Sequence, residues 1–193
     1  MIVIIQYNAG NIQSVRYALA RIGAEAVVTD DAALVRGAAH VIFPGVGEAS
    51  TAMQYLSSRG LDALIRELKQ PVLGICLGMQ LMCRYSEEND THCLGIFEET
   101  VRLFRVAPLK VPQVGWNNLQ RDDSPLFAGV PEGAYVYSVH SYRADAGPHT
   151  IATMDYGGSY SAALHRGNFY GVQFHPEKSA DAGEQILRNF LSL

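Results

Sequence analysis

The chain has no run of five or more like charges and no basic stripe: 15 lysines and arginines stand against 19 acidic residues, for a formal net charge of −4. Sequence-independent grip on nucleic acid needs clustered cations, so nucleic acid is not an expected partner. No segment approaches about 18 consecutive apolar residues, the length that a membrane helix needs. The opening Met-Ile-Val-Ile-Ile is only strand-length and carries neither a basic lead nor a small-residue cleavage site. The expectation is a soluble cytoplasmic protein without a membrane partner. Cysteine is scarce as well. Three residues, Cys76, Cys83 and Cys93, are an odd number without metal-ligand spacing, which argues against a disulfide framework and a zinc site. His40, His92, His149 and His165 show no mutual spacing that suggests metal. No Walker loop and no Gly-x-Gly-x-x-Gly follows an apolar run, so neither a nucleotide cofactor nor any other is expected.

The 193 residues, 48% hydrophobic, suffice for one well-buried domain spanning 1–193, and no repeat, linker or low-complexity tract divides them. The first half alternates strand and helix patterns. Ile2 to Gln6 is an apolar run, and Ile12, Val15, Leu19 and Ile22 then recur at helical spacing before Gly23. Ala26 to Val28 reads as a strand, Asp31 to Arg36 as a short helix and His40 to Phe43 as a strand. A helix through Met53 to Leu68 follows, then a strand over Pro71 to Ile75 and a helix carrying Leu77, Leu81 and Met82. Beyond Asn89 the pattern changes to short runs: Thr100 to Leu103, Ala134 to Val139 and Thr150 to Met154. A hairpin over Ser161 to Leu164 and Phe169 to Phe174 leads into a last helix with the stripe Ile186, Leu187, Phe190 and Leu191. The fold class expected is α/β: a single three-layer domain, its central sheet mostly parallel with helices on both faces, plus antiparallel strands in the C-terminal half.

The most informative stretch is Pro71-Val-Leu-Gly74-Ile-Cys76-Leu-Gly78-Met-Gln80, a lone cysteine between glycines at the end of an apolar run. That is the pattern of a nucleophile elbow, where a buried strand turns sharply into a helix and the tip side chain projects into a cleft. The helix N-terminus would favour the thiolate, lowering the thiol pKa from a free value of about 8.5. About a hundred residues later, Phe174-His175-Pro176-Glu177-Lys178 follows an apolar strand. In an extended segment residues two apart share a side, so His175 and Glu177 could serve Cys76 as base and orienter in acyl transfer. The oxyanion formed on attack needs donors. The N–H of Leu77 is one candidate, and Val46 and Gly47 of Pro44-Gly45-Val46-Gly47 offer a second. Each feature has a structural rival, since lone cysteines are commonly core residues and Pro-Gly-Val-Gly also reads as a plain turn. Cys83 and Cys93 lack the elbow context and read as structural thiols.

Together, Gly74-Ile-Cys76-Leu-Gly78-Met-Gln80 and His175-Pro-Glu177 resemble the class I, triad-type glutamine amidotransferases. Tyr7-Asn-Ala-Gly10-Asn11, Pro44-Gly-Val-Gly47, Val111-Pro-Gln-Val-Gly115-Trp116-Asn117, Tyr137-Ser-Val-His140-Ser141-Tyr142-Arg143 and His175-Pro-Glu-Lys178-Ser179 are similar to one family within that class, the glutaminase subunits of imidazole glycerol phosphate synthase. The resemblance spans the chain. It implies hydrolysis of L-glutamine through a cysteinyl thioester, with the ammonia passed to a cyclase subunit, a (β/α)8 barrel, in a heterodimer serving histidine biosynthesis. It further implies Cys76 as nucleophile, His175 as general base and acid, and Glu177 as orienter. The glutamine would be held by Gln80, Ser141 and Tyr142 with Gly47, the Val46 peptide would reorient to complete the oxyanion hole, and Asn11, Trp116, Tyr137 and Lys178 would face the cyclase. Without the resemblance, Trp116 and Tyr137 read as core aromatics. The sequence departs from the family's pattern at Asn8, where glycine is usual, and at Glu48-Ala-Ser-Thr after Gly47. Three alternatives stay open on sequence: the glutaminase of pyridoxal phosphate synthase, a cysteine hydrolase of related fold, and a non-catalytic scaffold.

Overall fold

The computed structural model describes residues 1–8 and 11–193; Ala9 and Gly10 of the first-turn motif lie outside the described residues. The first half runs β1 (Ile2–Ile5), α1 (Ile12–Arg21), β2 (Ala26–Thr29), α2 (Ala32–Arg36), β3 (His40–Gly45), α3 (Ala49–Ser58), α4 (Leu61–Glu67), β4 (Val72–Cys76) and α5 (Leu77–Met82). The second half supplies β5 (Tyr85–Ser86), β6 (Thr91–His92), β7 (Thr100–Leu103), β8 (Gln113–Asn118), β9 (Gln120–Arg121), β10 (Tyr135–His140), β11 (Tyr142–Ala144), β12 (Thr150–Asp155), β13 (Ser159–Arg166), β14 (Phe169–Val172) and α6 (Ala180–Phe190).

The main sheet is ordered β2-β1-β3-β4-β14-β13-β11-β7-β5-β6, with β12 and β9 attached beside β13. Its first five strands are all parallel. All but the edge strand β2 are buried on both faces, which is why they read as near-continuous apolar runs. Alternate residues feed two cores. Val3, Ile5, Val41, Phe43 and Val72 join α3 and α4 through Leu56 and Ile65. Ile4, Ile42, Leu73, Ile75 and Val172 join α1 and α6 through Leu19, Leu187 and Phe190. This is the expected three-layer α/β domain, with its largely antiparallel part in the C-terminal half.

The structure corrects several boundaries. The helix expected from Met53 to Leu68 is two, because Gly60 adopts φ 67 and starts α4 in a new direction. The second arm of the expected hairpin, β14, pairs antiparallel with β13 and parallel with β4, so it completes the parallel block. Glu48 is the N-cap of α3, its carboxylate accepting from the N–H groups of Ser50 and Thr51 at 2.9 and 3.2 Å. Hydrogen bonds from the Ser50 and Thr51 side chains hold its pKa down at about 2. A carboxylate at this position satisfies donors that the helix leaves free, which accounts for the departure from the family's pattern. Apart from the main sheet, β8 and β10 form an antiparallel ribbon that pairs Trp116 with Tyr137.

Candidate active site

Strand β4 ends at Cys76, which holds φ 53 and ψ −109. A non-glycine residue there is strained by about 1–3 kcal/mol, a cost that persists only where the surroundings fix the backbone. They do so here. Parallel register sets Gly45 of β3 beside Cys76, and Val172 of β14 beside Ile75. On the far side α5 presses onto β3 so closely that a Cβ on Gly78 would lie 1.8 Å from the Phe43 carbonyl oxygen. The cysteine is 6% exposed and opens on a cavity of about 330 Å³.

His175 reaches this point from the adjacent strand. Its backbone N–H donates to the Tyr137 carbonyl at 2.8 Å, and Ser179 Oγ donates to the His175 carbonyl at 2.7 Å. The sequence predicts an extended His175–Glu177 segment. The chain instead enters a 3-10 turn over Pro176–Lys178, and that turn brings Glu177 Oε1 to 2.8 Å from His175 Nδ1. A carboxylate only accepts, so Nδ1 carries the proton and Nε2 is the nitrogen left for chemistry. Nε2 is buried with no hydrogen-bond partner among the described residues. Burial alone would lower the His175 pKa, but the Cys76 sulfur and the Glu177 carboxylate raise it above the usual imidazole value. Asn11 Nδ2 donates to the same Glu177 oxygen at 2.5 Å.

The cavity is lined by Val46, Gly47, Leu77, Gln80, Ser141 and Tyr142, all six of the sequence-selected binding and oxyanion residues, and also by Glu88, Pro112, Val139 and His140. Gly47 takes φ 116, a region open to glycine. Gln80 Nε2 donates to the Tyr142 carbonyl and to Gln173 Oε1, both at 2.9 Å. Trp116 is not the core aromatic that its type suggests: it is 53% exposed and meets the Tyr137 ring edge-on at 5.9 Å. Lys178 Nζ lies 5.9 Å from the centroid of Tyr137 on the other strand of the ribbon. Among the described residues no cluster of His, Cys, Asp or Glu could hold a metal, and no helix is long and apolar enough to cross a membrane.

Known proteins are similar to this chain along its full length. The family described as glutamine amidotransferase class-I matches residues 3–193. The chain belongs to that family. Its amidotransferase relatives include the proteins named imidazole glycerol phosphate synthase subunit HisH from Bacteroides fragilis and Bacteroides thetaiotaomicron, 55% and 53% identical, each alignment covering 100% of this chain and 99% of the relative. A solved glutamine amidotransferase superposes with a TM-score of 0.77 at 19% identity, covering 100% of this chain and 98% of that one, which is a likeness of fold.

Four residues at or beside the candidate site are assigned no role by the sequence motifs. Glu88 comes from a turn rather than a motif; its Oε2 accepts the Ala49 N–H at 2.8 Å, and burial raises its pKa. Tyr7 donates to the Pro44 carbonyl at 2.6 Å from beneath the elbow, and burial, then the nearby Cys76, push its phenol far up. Gln173, a fully buried polar residue at the end of an apolar strand, carried a signal in that contrast alone. His140 is buried, with Nδ1 2.8 Å from the Tyr142 carbonyl, and burial pulls its pKa down to about 4. Between pH 6.5 and 4 the unfolded chain therefore protonates His140 while the native protein does not, so stability falls as pH falls through that window. Urea unfolding at pH 7 and pH 4.5 is expected to show a loss from this group of about 2–3 kcal/mol. His140→Asn, which keeps a donor near the Tyr142 carbonyl, removes that part of the acid destabilisation.

Proposed function

We propose that the chain is the glutaminase subunit of an imidazole glycerol phosphate synthase. It hydrolyses L-glutamine to glutamate and ammonia through a thioester on Cys76, and delivers the ammonia to a (β/α)8 cyclase in histidine biosynthesis. The observation that carries the reading is Cys76 at the edge of a cavity lined by Gln80, Ser141 and Tyr142, with His175 behind it, near enough for the sulfur to raise the imidazole pKa, and Glu177 held to His175 Nδ1 at 2.8 Å. The names of the full-length relatives support the member assignment.

The thiolate of Cys76 attacks the γ-carbonyl carbon, and the N–H groups of Leu77 and of the Val46–Gly47 segment receive the oxyanion. Each well-placed donor of this kind is typically worth about 2.7–4 kcal/mol in the transition state. His175 Nε2 gives its proton to the departing amide nitrogen, the carbon–nitrogen bond breaks, and ammonia leaves a glutamyl thioester. Nε2 then takes a proton from water as its oxygen attacks the thioester. The carbon–sulfur bond breaks, glutamate forms, and the thiolate and imidazolium are restored. Glu177 stays ionised throughout and holds the Nδ1–H tautomer. Among the described residues Glu88 is the one carboxylate lining the cavity, and it suits the substrate's α-ammonium.

Ammonia released into neutral water becomes ammonium, which has no lone pair for attack, so the product must pass directly to an acceptor site. The apolar ribbon face supports a partner there: Val114, Trp116 and Tyr135 are 53–60% exposed on β8 and β10, whose Tyr137 carbonyl binds the His175 N–H. Asn11 and Lys178 complete the proposed interface. Glutamate release from glutamine is expected to rise strongly when the cyclase and its ribulosyl nucleotide substrate are added to the purified chain. Equal release in all conditions would remove the partner assignment, and no release from a folded complex would favour a scaffold.

A further inference from the structure

The triad leaves one polar side chain at the nucleophile unused. Gln173 is fully buried, and its Nε2 lies 3.7 Å from Cys76 Sγ, within the reach of a hydrogen bond to sulfur. The fold puts it there. Strand β14 pairs with β4 through Val172 and Ile75, and one further residue along each strand sets Gln173 beside Cys76. The sulfur also lies 4.0 Å from the Val139 carbonyl, to which a thiol can only donate, so its lone pairs stay open to a donor, and the Gln173 amide nitrogen is directed at them.

The direction of that amide is fixed from outside. The Tyr142 carbonyl can only accept, so Gln80 must present its nitrogen to it, at 2.9 Å. The second N–H of Gln80 then faces Gln173, which must present oxygen, also at 2.9 Å. Gln173 is left with its nitrogen toward the thiol. A reversed Gln173 would set its oxygen against the sulfur and its NH₂ against that of Gln80. We propose that Gln173 is a fourth catalytic group of this site: its amide N–H stabilises and positions the Cys76 thiolate, as nucleophile in acylation and as leaving group when the thioester breaks, with the Tyr142–Gln80 chain holding the amide in the donating sense. This rests on the glutaminase reading for its catalytic consequence but not for the contact itself.

The probe is iodoacetamide alkylation of the full chain without glutamine, with Cys76 identified by peptide mass and the rate followed against pH. Gln173→Glu keeps the shape and still accepts from Gln80, but replaces the donor with a carboxylate. His175, Tyr7, His140, Tyr142 and Glu88, the other titratable groups around the sulfur and its cavity, are unchanged by it. Cys76 alkylation at pH 7 is expected to fall about 10- to 100-fold, as for loss of one hydrogen bond to a charged acceptor, with the midpoint of the profile moved to higher pH. In the glutaminase assay kcat falls by a similar factor while KM stays within about threefold, because Gln80 keeps its acceptor. Gln173→Met, which removes the donor without adding charge, gives a smaller loss in the same direction and serves if the first variant does not fold. Alkylation profiles matching wild type in a folded variant would overturn the proposal. A shifted profile in a chain whose wild type hydrolyses no glutamine would leave the contact standing and defeat the glutaminase reading instead.

Discussion

Replacing Cys76 with alanine is expected to lower glutamine hydrolysis by about 10⁴-fold or more while leaving the fold intact. The loss is that large because the other groups act through the sulfur. Among the described residues His175 Nε2 has no hydrogen-bond partner, and the Glu177 carboxylate accepts only from His175 and Asn11. His175→Ala is therefore expected to cost nearly as much as Cys76→Ala, and the double variant little more than either. The remaining cysteines provide the control. Burial raises the Cys83 thiol well above its usual value, and burial followed by the charge of Glu88 pushes Cys93 up to about 12. Neither supplies a thiolate near neutral pH, so Cys93→Ala is expected to retain wild-type turnover in the same glutamate-release assay.

Gly78→Ala is expected to destabilise the protein by about 3 kcal/mol or more and to abolish activity in whatever fraction stays folded. The added Cβ would sit 1.8 Å from the Phe43 carbonyl oxygen and 2.9 Å from its carbon. These are backbone atoms of a central strand, so no rotamer change relieves the overlap. Helix α5 must lift from β3, carrying away the Leu77 N–H and altering the strained Cys76 backbone at the same time. Gly183→Ala is a parallel case at the other catalytic arm, where the Cβ would lie 1.9 Å from the Pro176 carbonyl oxygen, under the turn that joins His175 to Glu177. Thermal and urea unfolding measure the stability cost. A Gly78→Ala protein with wild-type stability and full turnover would mean that the close approach of α5 to β3 does not define the elbow.

The parallel half of the fold was legible because its inner strands are buried on both faces and its helices carry apolar stripes, so periodicity and burial coincide there. The elbow was legible for a different reason: the glycines around Cys76 mark places where backbone approaches backbone. Sequence periodicity failed where geometry is set by partners distant in the chain. The two-residue strands β5, β6 and β9 are too short to show alternation, and α3 and α4 continue one apolar pattern across a glycine. The 3-10 turn at Pro176 joins His175 to Glu177 by a route that the extended reading did not anticipate. Glu88 and His140 lay beyond reach as site residues, because a turn and the β8–β10 ribbon, both distant in the chain from the elbow, bring them to the cavity, and the contrast at Gln173 pointed to no site until the β14–β4 register set it beside Cys76. Trp116 was misread without the resemblance, since residue type alone does not distinguish an aromatic in a core from one on an exposed ribbon.

The central claim, covalent catalysis at Cys76, is tested most directly by acid-quenching the chain during turnover of glutamine with its cyclase and mapping peptide masses. The account predicts a glutamyl adduct on the peptide carrying Cys76, lost on mild alkaline treatment and never formed in Cys76→Ala. Glutamate released at an undiminished rate by Cys76→Ala, with no adduct on wild-type Cys76, would contradict it.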